Sequence, residues 1–326
     1  MRFEDHWTVA TLAGIRDLTP DIREFTLRPD DSAGQPYAVG SHIKVGVLID
    51  GQPDVRSYSL IGEAAPGLYR IAVRRAEDSR GGSRYLWSLA PGARLNIAAP
   101  ASLMQLDWQR EHYCLVAGGI GITPLLGAAQ ALLRKTPNVS LHYAVRSRRD
   151  AAYADELAAL LGDRMTIHAA DEGRRLVMTG LFAGLPRNAA VLFCGPMRML
   201  EEARRAWSAD GRVATDLSYE TFGSSGQFAA EPFRVQLRDS GEEFVVPRDR
   251  TMLDVLNAAG HEIIADCRRG ECGICVVDVV DVDGQIDHRD VFFSAAQKAD
   301  NRKLCPCVSR AHGVVTIDTL ERSDAI

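Results

Sequence analysis

The chain has 326 residues, 46% of them hydrophobic and 25% charged, with a net charge of −5 and a pI of about 5.9. That length predicts two or three domains of ordinary globular composition, and the acidic balance argues against nucleic-acid binding as the main activity. No apolar run reaches the length of a membrane span, and the opening MRFEDHWTVA has no signal-type apolar core. A cytoplasmic protein with no membrane partner is expected.

Residues 7–107 read as short strands broken by turn signals. The candidates are Thr8–Ile15, Ile22–Leu27, His42–Val47, Arg56–Leu60, Leu68–Arg74 and Arg94–Ala98, with one helix at Ser83–Leu89. Strands at this spacing predict an antiparallel β-barrel. Two stretches in it carry chemistry. Arg56-Ser57-Tyr58-Ser59 supplies a cation, an aromatic ring and two hydroxyls. Ala72-Val73-Arg74 is followed by Arg80-Gly81-Gly82-Ser83 at a helix start, where paired glycines aim amides at a phosphate. Singly they read equally well as a surface strand and a helix cap; together they suit a planar ring with a phosphate tail.

The next segment alternates strand and helix. Tyr113–Ala117 is a buried-strand run, followed by Gly118-Gly119-Ile120-Gly121-Ile122-Thr123-Pro124 and a helical pattern over Leu125–Leu133. Thr123 is the expected N-cap, with Pro124 at the first helical position. Strand Val139–Val145, helix Ala151–Leu161, strand Met165–Ala169, strand Val191–Cys194, helix Met197–Trp207 and strand Val213–Tyr219 follow. This is an α/β parallel sheet, which binds ligands at its strand C-terminal ends. Three stretches fall there: Gly118–Thr123, Arg146-Ser147-Arg148-Arg149, and Cys194-Gly195-Pro196-Met197. Cys114 reads as core.

Past a small, polar stretch at 224–230, strands are expected at Phe233–Arg238 and Glu243–Val246. A capping box at Thr251 and Asp254 starts helix Met252–Ala259. Strand Val276–Val282, a turn at Asp283-Gly284 and strand Val314–Asp318 close an α+β unit. Between helix and strand lies DCRRGECGIC, with Cys267, Cys272 and Cys275 spaced C-x4-C-x2-C and a further cysteine at 305 and at 307. That is the ligand spacing of a plant-type [2Fe–2S] cluster. Structural zinc fits less well because only one CxxC lies in this stretch's cysteine loop. Spacing from Cys275 favours Cys305 as fourth ligand, and periodicity does not separate it from Cys307.

The whole chain resembles the reductases of two-component Rieske oxygenases, the phthalate dioxygenase reductase and vanillate O-demethylase reductase group. Arg56–Ser59 is similar to that family's RxYS flavin motif, Arg80–Ser83 to its GRGGS loop, Gly118–Pro124 to GGIGITP and Cys194–Pro196 to CGP. Asp287-His288-Arg289-Asp290 and Cys307-Val308-Ser309-Arg310-Ala311 resemble DHRD and CVSRA, and Phe222 matches an aromatic near the flavin. Departures are Ser79 in place of a glycine, the run Tyr219-Glu220-Thr221-Phe222, and a strand after Cys275 about two residues longer than in that group. The resemblance implies an FMN-binding barrel over 1–108, an NAD-binding α/β domain over 109–223, a linker over 224–232 and a β-grasp ferredoxin domain over 233–326.

It also implies electron flow from NADH to FMN to a [2Fe–2S] cluster to a transiently bound terminal Rieske-type oxygenase, carried out by a monomer. FMN and nicotinamide binding fall to Arg56, Ser57, Tyr58, Ser59, Ala72, Val73, Arg74, Arg80, Gly81, Gly82, Ser83, Gly119, Gly121, Thr123, Pro124, Arg146, Ser147, Cys194, Gly195, Pro196, Met197 and Phe222. Ser59, Thr123, Cys194 and Phe222 are the residues expected at the hydride-transfer contact. Counted from DHRD, Cys307 joins Cys267, Cys272 and Cys275 as the ligand set. A cluster-based redox sensor or regulatory binding protein is the alternative reading.

Overall fold

The computed structural model describes residues 6–30, 36–63, 67–75, 81–102, 106–222, 228 and 230–319. The chain divides into two compact units, 1–220 and 221–326.

The first unit holds two sheets. One is antiparallel: β1 (Trp7–Thr19), β2 (Ile22–Pro29), β3 (Ser41–Ile49), β4 (Gln52–Ser59), β5 (Tyr69–Arg74), β6 (Arg94–Ala98) and β7 (Ala101–Ser102), with helix α1 (Gly82–Ser88) between β5 and β6. Its order is β4-β3-β6-β1-β2-β5, with β7 on β3. A lone antiparallel bridge, Leu60 to Ile71, joins the chain leaving β4 to β5 and curls the sheet back on itself. Alternation along these strands turns Leu12, Phe25, Ile43, Val45, Ile71 and Ile97 inward to a fully buried core.

The second sheet is β8 (Tyr113–Gly118), β9 (Val139–Val145), β10 (Met165–Ala169), β11 (Ala190–Cys194) and β12 (Leu217–Glu220). All its pairs are parallel, in the order β10-β9-β8-β11-β12. Helices α2 (Ile122–Leu133), α3 (Ala154–Leu161), α4 (Met178–Ala183) and α5 (Met197–Ala209) supply the crossovers. The strand order reverses between β8 and β11, which makes the C-terminal ends of those strands the topological switch point where such sheets bind ligands.

Two local expectations are corrected here. Thr123 is not an N-cap: a 3-10 turn over Gly119–Gly121 runs straight into α2, so Thr123 already lies inside the helix and its hydroxyl donates to the Ile120 carbonyl at 3.0 Å. Helix α3 starts at Ala154 rather than Ala151, because Tyr153 adopts a left-handed conformation (φ 60°) that no helix continues through.

The second unit is a five-stranded sheet with two short helices. Its elements are β13 (Phe233–Leu237), β14 (Glu243–Val246), α6 (Met252–Ala258), β15 (Val277–Asp287), α7 (Ala295–Asp300), β16 (Lys303–Leu304) and β17 (Arg310–Asp318). The order is β14-β13-β17-β15-β16, with β13 and β17 parallel and the other pairs antiparallel. The expected capping box is present, Thr251 accepting from the Asp254 amide and Asp254 from that of Thr251. The expected turn at Asp283-Gly284 is not: β15 runs through it. Gly284 sits opposite Gly313 of β17, and a side chain at either would collide with the facing backbone.

Candidate redox site

Helix α1 begins at Gly82, and a Cβ there would lie 2.7 Å from Cγ of Arg56. The glycine therefore lets the helix start rest on the Arg56 side chain of β4, which brings two of the motif stretches together. Arg56 is ion-paired to Asp54 at 2.8 Å, and Arg74 to Asp21 at 2.8 Å. Although burial opposes it, the Arg74 and Thr19 hydrogen bonds hold the Asp21 carboxyl below its usual range. Ala72 and Val73 are buried in β5, and the Val73 carbonyl accepts from the Trp87 indole at 3.1 Å. Ser57, Tyr58 and Ser83 are half-buried. Arg80 and Ser79 lie outside the described residues.

At the switch point the two glycine turns touch. A Cβ on Gly121 would stand 2.5 Å from the Cys194 carbonyl carbon and 2.9 Å from the Gly195 nitrogen; one on Gly118 would stand 2.6 Å from Cδ of Pro196. Only glycines allow this approach, and it unites Gly118–Pro124 with Cys194–Met197. The Gly119–Gly121 turn that leads into α2 puts the positive end of the helix there, a setting that favours an anion. Cys194 is fully buried, in register with Ala117 of β8 on one side and Glu220 of β12 on the other. The Ser59 hydroxyl at the end of β4 donates to Oε1 of that same Glu220 at 3.2 Å. A side chain of the flavin-type motif thus reaches the strand beside Cys194.

Arg146 and Ser147 sit at the C-terminal end of β9. Ser147 and Asp150 form a capping box, and Arg148 pairs with Glu172 at 2.7 Å. Phe222 belongs to the second unit and is half-buried in it. Cys114, by contrast, is core: burial pushes its thiol up to about 12.

Sequence reasoning missed a polar seam inside the first unit. The Tyr153 hydroxyl donates to Oε2 of buried Glu24 at 2.8 Å, and Glu24 also pairs with Arg16 at 3.2 Å, which reaches Glu156 of α3 at 2.8 Å. Nearby, α2 passes so close to Gly62 that a Cβ on Gly127 would meet its carbonyl oxygen at 2.6 Å. The Tyr153–Glu24 and Arg16–Glu156 contacts span 129 and 140 residues of chain and leave no local signal.

In the second unit the cysteines lie around the 267–275 loop. Gly270 has φ 74°, and a Cβ there would lie 2.6 Å from Val308 and 2.8 Å from the Asp290 backbone. The loop therefore closes onto the DHRD and CVSRA stretches, and the Gly270 carbonyl accepts from the Val291 amide at 2.9 Å. Cys267 Sγ accepts from the amides of Arg269 and Cys272, both at 3.4 Å, and Cys272 pairs with it through its side chain. Buried Cys275, Cys305 and Cys307 share one apolar cluster with Leu253, Phe293 and Val308. Hydrogen bonds from Cys305 and Cys307 hold the Cys275 thiol down at about 3 and push their own thiols up.

This donor set fits a binuclear cluster. Each iron needs two thiolates, and the cysteines stand as a Cys267–Cys272 pair and a second pair built on Cys275. For the fourth position, Cys305 and Cys307 both lie in the buried cluster with Cys275, and the assignment of Cys307 stays with the motif count.

Around the loop, buried polar groups are held in ion pairs and hydrogen bonds. Arg289 pairs with Asp287 at 2.7 Å, and Arg269 with Glu271 at 2.9 Å. Asp290 accepts from the Phe293 amide at 3.0 Å. Arg310 donates to the carbonyls of Arg250, Pro247 and Glu231 at 2.8, 2.8 and 3.0 Å.

The comparisons with known proteins agree with these features. The family described as 2Fe-2S iron-sulfur cluster binding domain matches residues 235–312, and the oxidoreductase NAD-binding domain matches 115–205. The chain is 39% identical to the heme-dependent oxidative N-demethylase beta subunit of Ectopseudomonas mendocina, over 93% of this chain and 95% of that one. It is 35% identical to the vanillate O-demethylase oxidoreductase of Pseudomonas sp. strain HR199, over 92% and 96%. Its fold matches phthalate dioxygenase reductase with a TM-score of 0.76 at 28% identity, covering 96% of this chain and 98% of that one. With a nucleotide-type switch point and a cysteine-lined loop on one chain, and relatives alike along its length, the chain belongs to the reductase subunits of multicomponent oxygenase systems, the group that includes vanillate O-demethylase oxidoreductase.

Proposed function

We propose that the chain carries electrons from NADH through FMN and a [2Fe–2S] cluster to a partner oxygenase. The observation that carries this reading is the Ser59–Glu220 hydrogen bond beside Cys194, because it joins the flavin-type strand to the nicotinamide-type turn. When bound, FMN accepts hydride and the cluster carries single electrons.

The protein's part is placement. Arg56, Gly81, Gly82 and Ser83 hold the flavin phosphate end, with Arg80 assigned the same role by its motif. Tyr58 and Ser59 line the ring, and Ala72, Val73 and Arg74 border it. Gly119, Gly121, Thr123 and Pro124 cradle the pyrophosphate of NADH, while Arg146 and Ser147 flank its adenosine end. Cys194, Gly195, Pro196 and Met197 keep the nicotinamide against the flavin, with Phe222 assigned to the flavin neighbourhood. Cys267, Cys272, Cys275 and Cys307 ligate the cluster. The working division is 1–108 for FMN, 109–223 for NADH, a linker over 224–232, and 233–326 for the cluster.

A Rieske-type oxygenase is the proposed partner, met transiently by a monomeric, cytoplasmic reductase. No helix among the described residues is long and apolar enough to cross a membrane. A second reading of the partner is favoured by the 39% identical relative, a subunit of a heme-dependent N-demethylase: the acceptor is then a haem protein.

An anaerobic visible spectrum of the purified protein, taken before and after NADH, tests the path. Rapid bleaching of overlapping flavin and iron–sulfur bands is the expected result. A colourless protein holding zinc in place of iron would end the reading, and sluggish bleaching with artificial acceptors left unreduced would favour a cluster-based sensor.

A further inference from the structure

A dinucleotide is told from its 2′-phosphorylated form at the adenosine ribose, where a carboxylate suits the hydroxyl and an arginine the phosphate. In the parallel sheet the glycine turn after β8 is the pyrophosphate end, and β11 with Cys194 lies on one side of it. The adenosine ribose then falls on the other side, over the ends of β9 and β10. The loops that leave those two strands are joined. The Asp171 amide donates to the Arg146 carbonyl at 3.0 Å, and the Arg174 amide to that of Ala169 at 3.1 Å. Ser147 and Asp150 fix the first loop with their capping box, and Gly173, at φ 72°, turns the second.

Residues 146–150 and 170–175 carry five arginines against three carboxylates. That excess alone would suit a 2′-phosphate. The side chains divide the charge differently. Oε1 of Glu172 accepts from Nε of Arg148 at 2.7 Å, and its Oε2 lies 3.9 Å from Nε of Arg174. One carboxylate thus ties the β9 loop to the β10 loop through Arg148. Both side chains are partly exposed, 49% for Arg148 and 37% for Glu172, and a pair of that kind adds little to stability. Its effect is on placement and charge. Arg148 is drawn toward the β10 loop and already has an anion, and a phosphate brought to it would meet the Glu172 carboxylate as a like charge.

We infer that Glu172 is a specificity-determining residue: by holding Arg148 it keeps that guanidinium from a 2′-phosphate and turns the chain toward NADH and away from NADPH. Arg148 is then a latent phosphate partner, released by the loss of one negative charge. The inference rests on the dinucleotide lying over the strand ends as proposed above.

The test uses the full-length protein with its cofactors bound. Anaerobic flavin reduction compares NADPH with NADH, and calorimetric titration compares 2′,5′-ADP with 5′-AMP. Glu172→Gln removes the charge and keeps the shape; Glu172→Ala also removes the acceptor, in case glutamine still holds Arg148. Either is expected to raise the NADPH-to-NADH ratio of kcat/KM about tenfold, as one new charge-assisted hydrogen bond would. Binding of 2′,5′-ADP should tighten by a similar factor while that of 5′-AMP stays put. Adding Arg148→Ala should abolish both gains, and raised ionic strength should shrink them. An unchanged ratio in both Glu172 variants, a gain that survives Arg148→Ala, or a wild type that already prefers NADPH overturns the inference and leaves the electron path standing. Flavin that neither nucleotide reduces overturns the inference and the path together.

Discussion

Replacing Gly121 with alanine perturbs the redox site without touching a reacting atom. Gly121 has φ −62°, so alanine meets no backbone strain there, and the effect is one of contact alone. Its methyl would stand 2.5 Å from the Cys194 carbonyl carbon and 2.9 Å from the Gly195 nitrogen. Non-bonded carbon contacts settle near 3.5–4.0 Å, so the turns after β8 and β11 must part by about 1 Å. Overpacking of that kind costs about 1–3 kcal/mol of stability. A misplacement of about 1 Å at a reacting pair costs on the order of a hundredfold in rate.

The assay is anaerobic stopped-flow bleaching of the flavin at saturating NADH, with a thermal melt of the same sample. A fall of about a hundredfold, with FMN still bound, is expected. Gly211→Ala serves as control: Gly211 has φ 65° with no atom within 4 Å of the added methyl, so it should lose about 1 kcal/mol of stability and leave the flavin rate alone. Wild-type bleaching by Gly121→Ala would falsify the view that contact between the two turns sets the nicotinamide's position.

Three further outcomes follow from the geometry. Ser59→Ala removes the hydroxyl held by Glu220 and should slow flavin reduction about tenfold, since hydrogen bonds to charged groups contribute about 1.5–3 kcal/mol; an unchanged single-turnover rate would remove Ser59 from the contact. Arg310→Met strips the donors from three carbonyls and should destabilise the second unit by about 3 kcal/mol or more, read as a lower urea midpoint for cluster loss; an unaltered midpoint would show those carbonyls satisfied otherwise. His142 stacks on His168 with ring nitrogens 3.1 Å apart, and burial, then His168, lower its pKa from 6.5 to about 4. Between those values the unfolded chain binds more protons than the folded one, so stability falls as pH drops from about 6.5 toward 4. His142→Gln should flatten that part of the Tm–pH curve, and a curve of undiminished slope would refute the assignment.

Much of the site was legible because its signals are local. The C-x4-C-x2-C loop, the capping box at Thr251 and the strand-turn-helix at Gly118–Leu133 each lie within a few residues, and the structure folds each in the expected class. What stayed hidden has identifiable causes. Asp283-Gly284 looks like a hairpin turn, but Gly313 across the ladder turns the glycine into a close-approach position. Helix α4 is six residues long and contains Gly180, too short for a periodic pattern. Helix α7 does have a local signal, the Ser294–Gln297 capping box. Spacing alone does not separate Cys305 from Cys307, because the fold buries both beside Cys275.

The seam through Tyr153, Glu24 and Arg16, with the Gly62–Gly127 approach and the Ser59–Glu220 bond, has a practical meaning for anyone who wants to rebuild this enzyme. A chimera cut between its first two sheets would expose Glu24 and part the glycines, stranding a buried acid and two unmatched surfaces. Such a half should come out of expression insoluble. A splice at Glu220/Thr221 leaves all of those contacts inside one unit, so trading cluster modules between reductases should spare them, while trading nucleotide modules would break them.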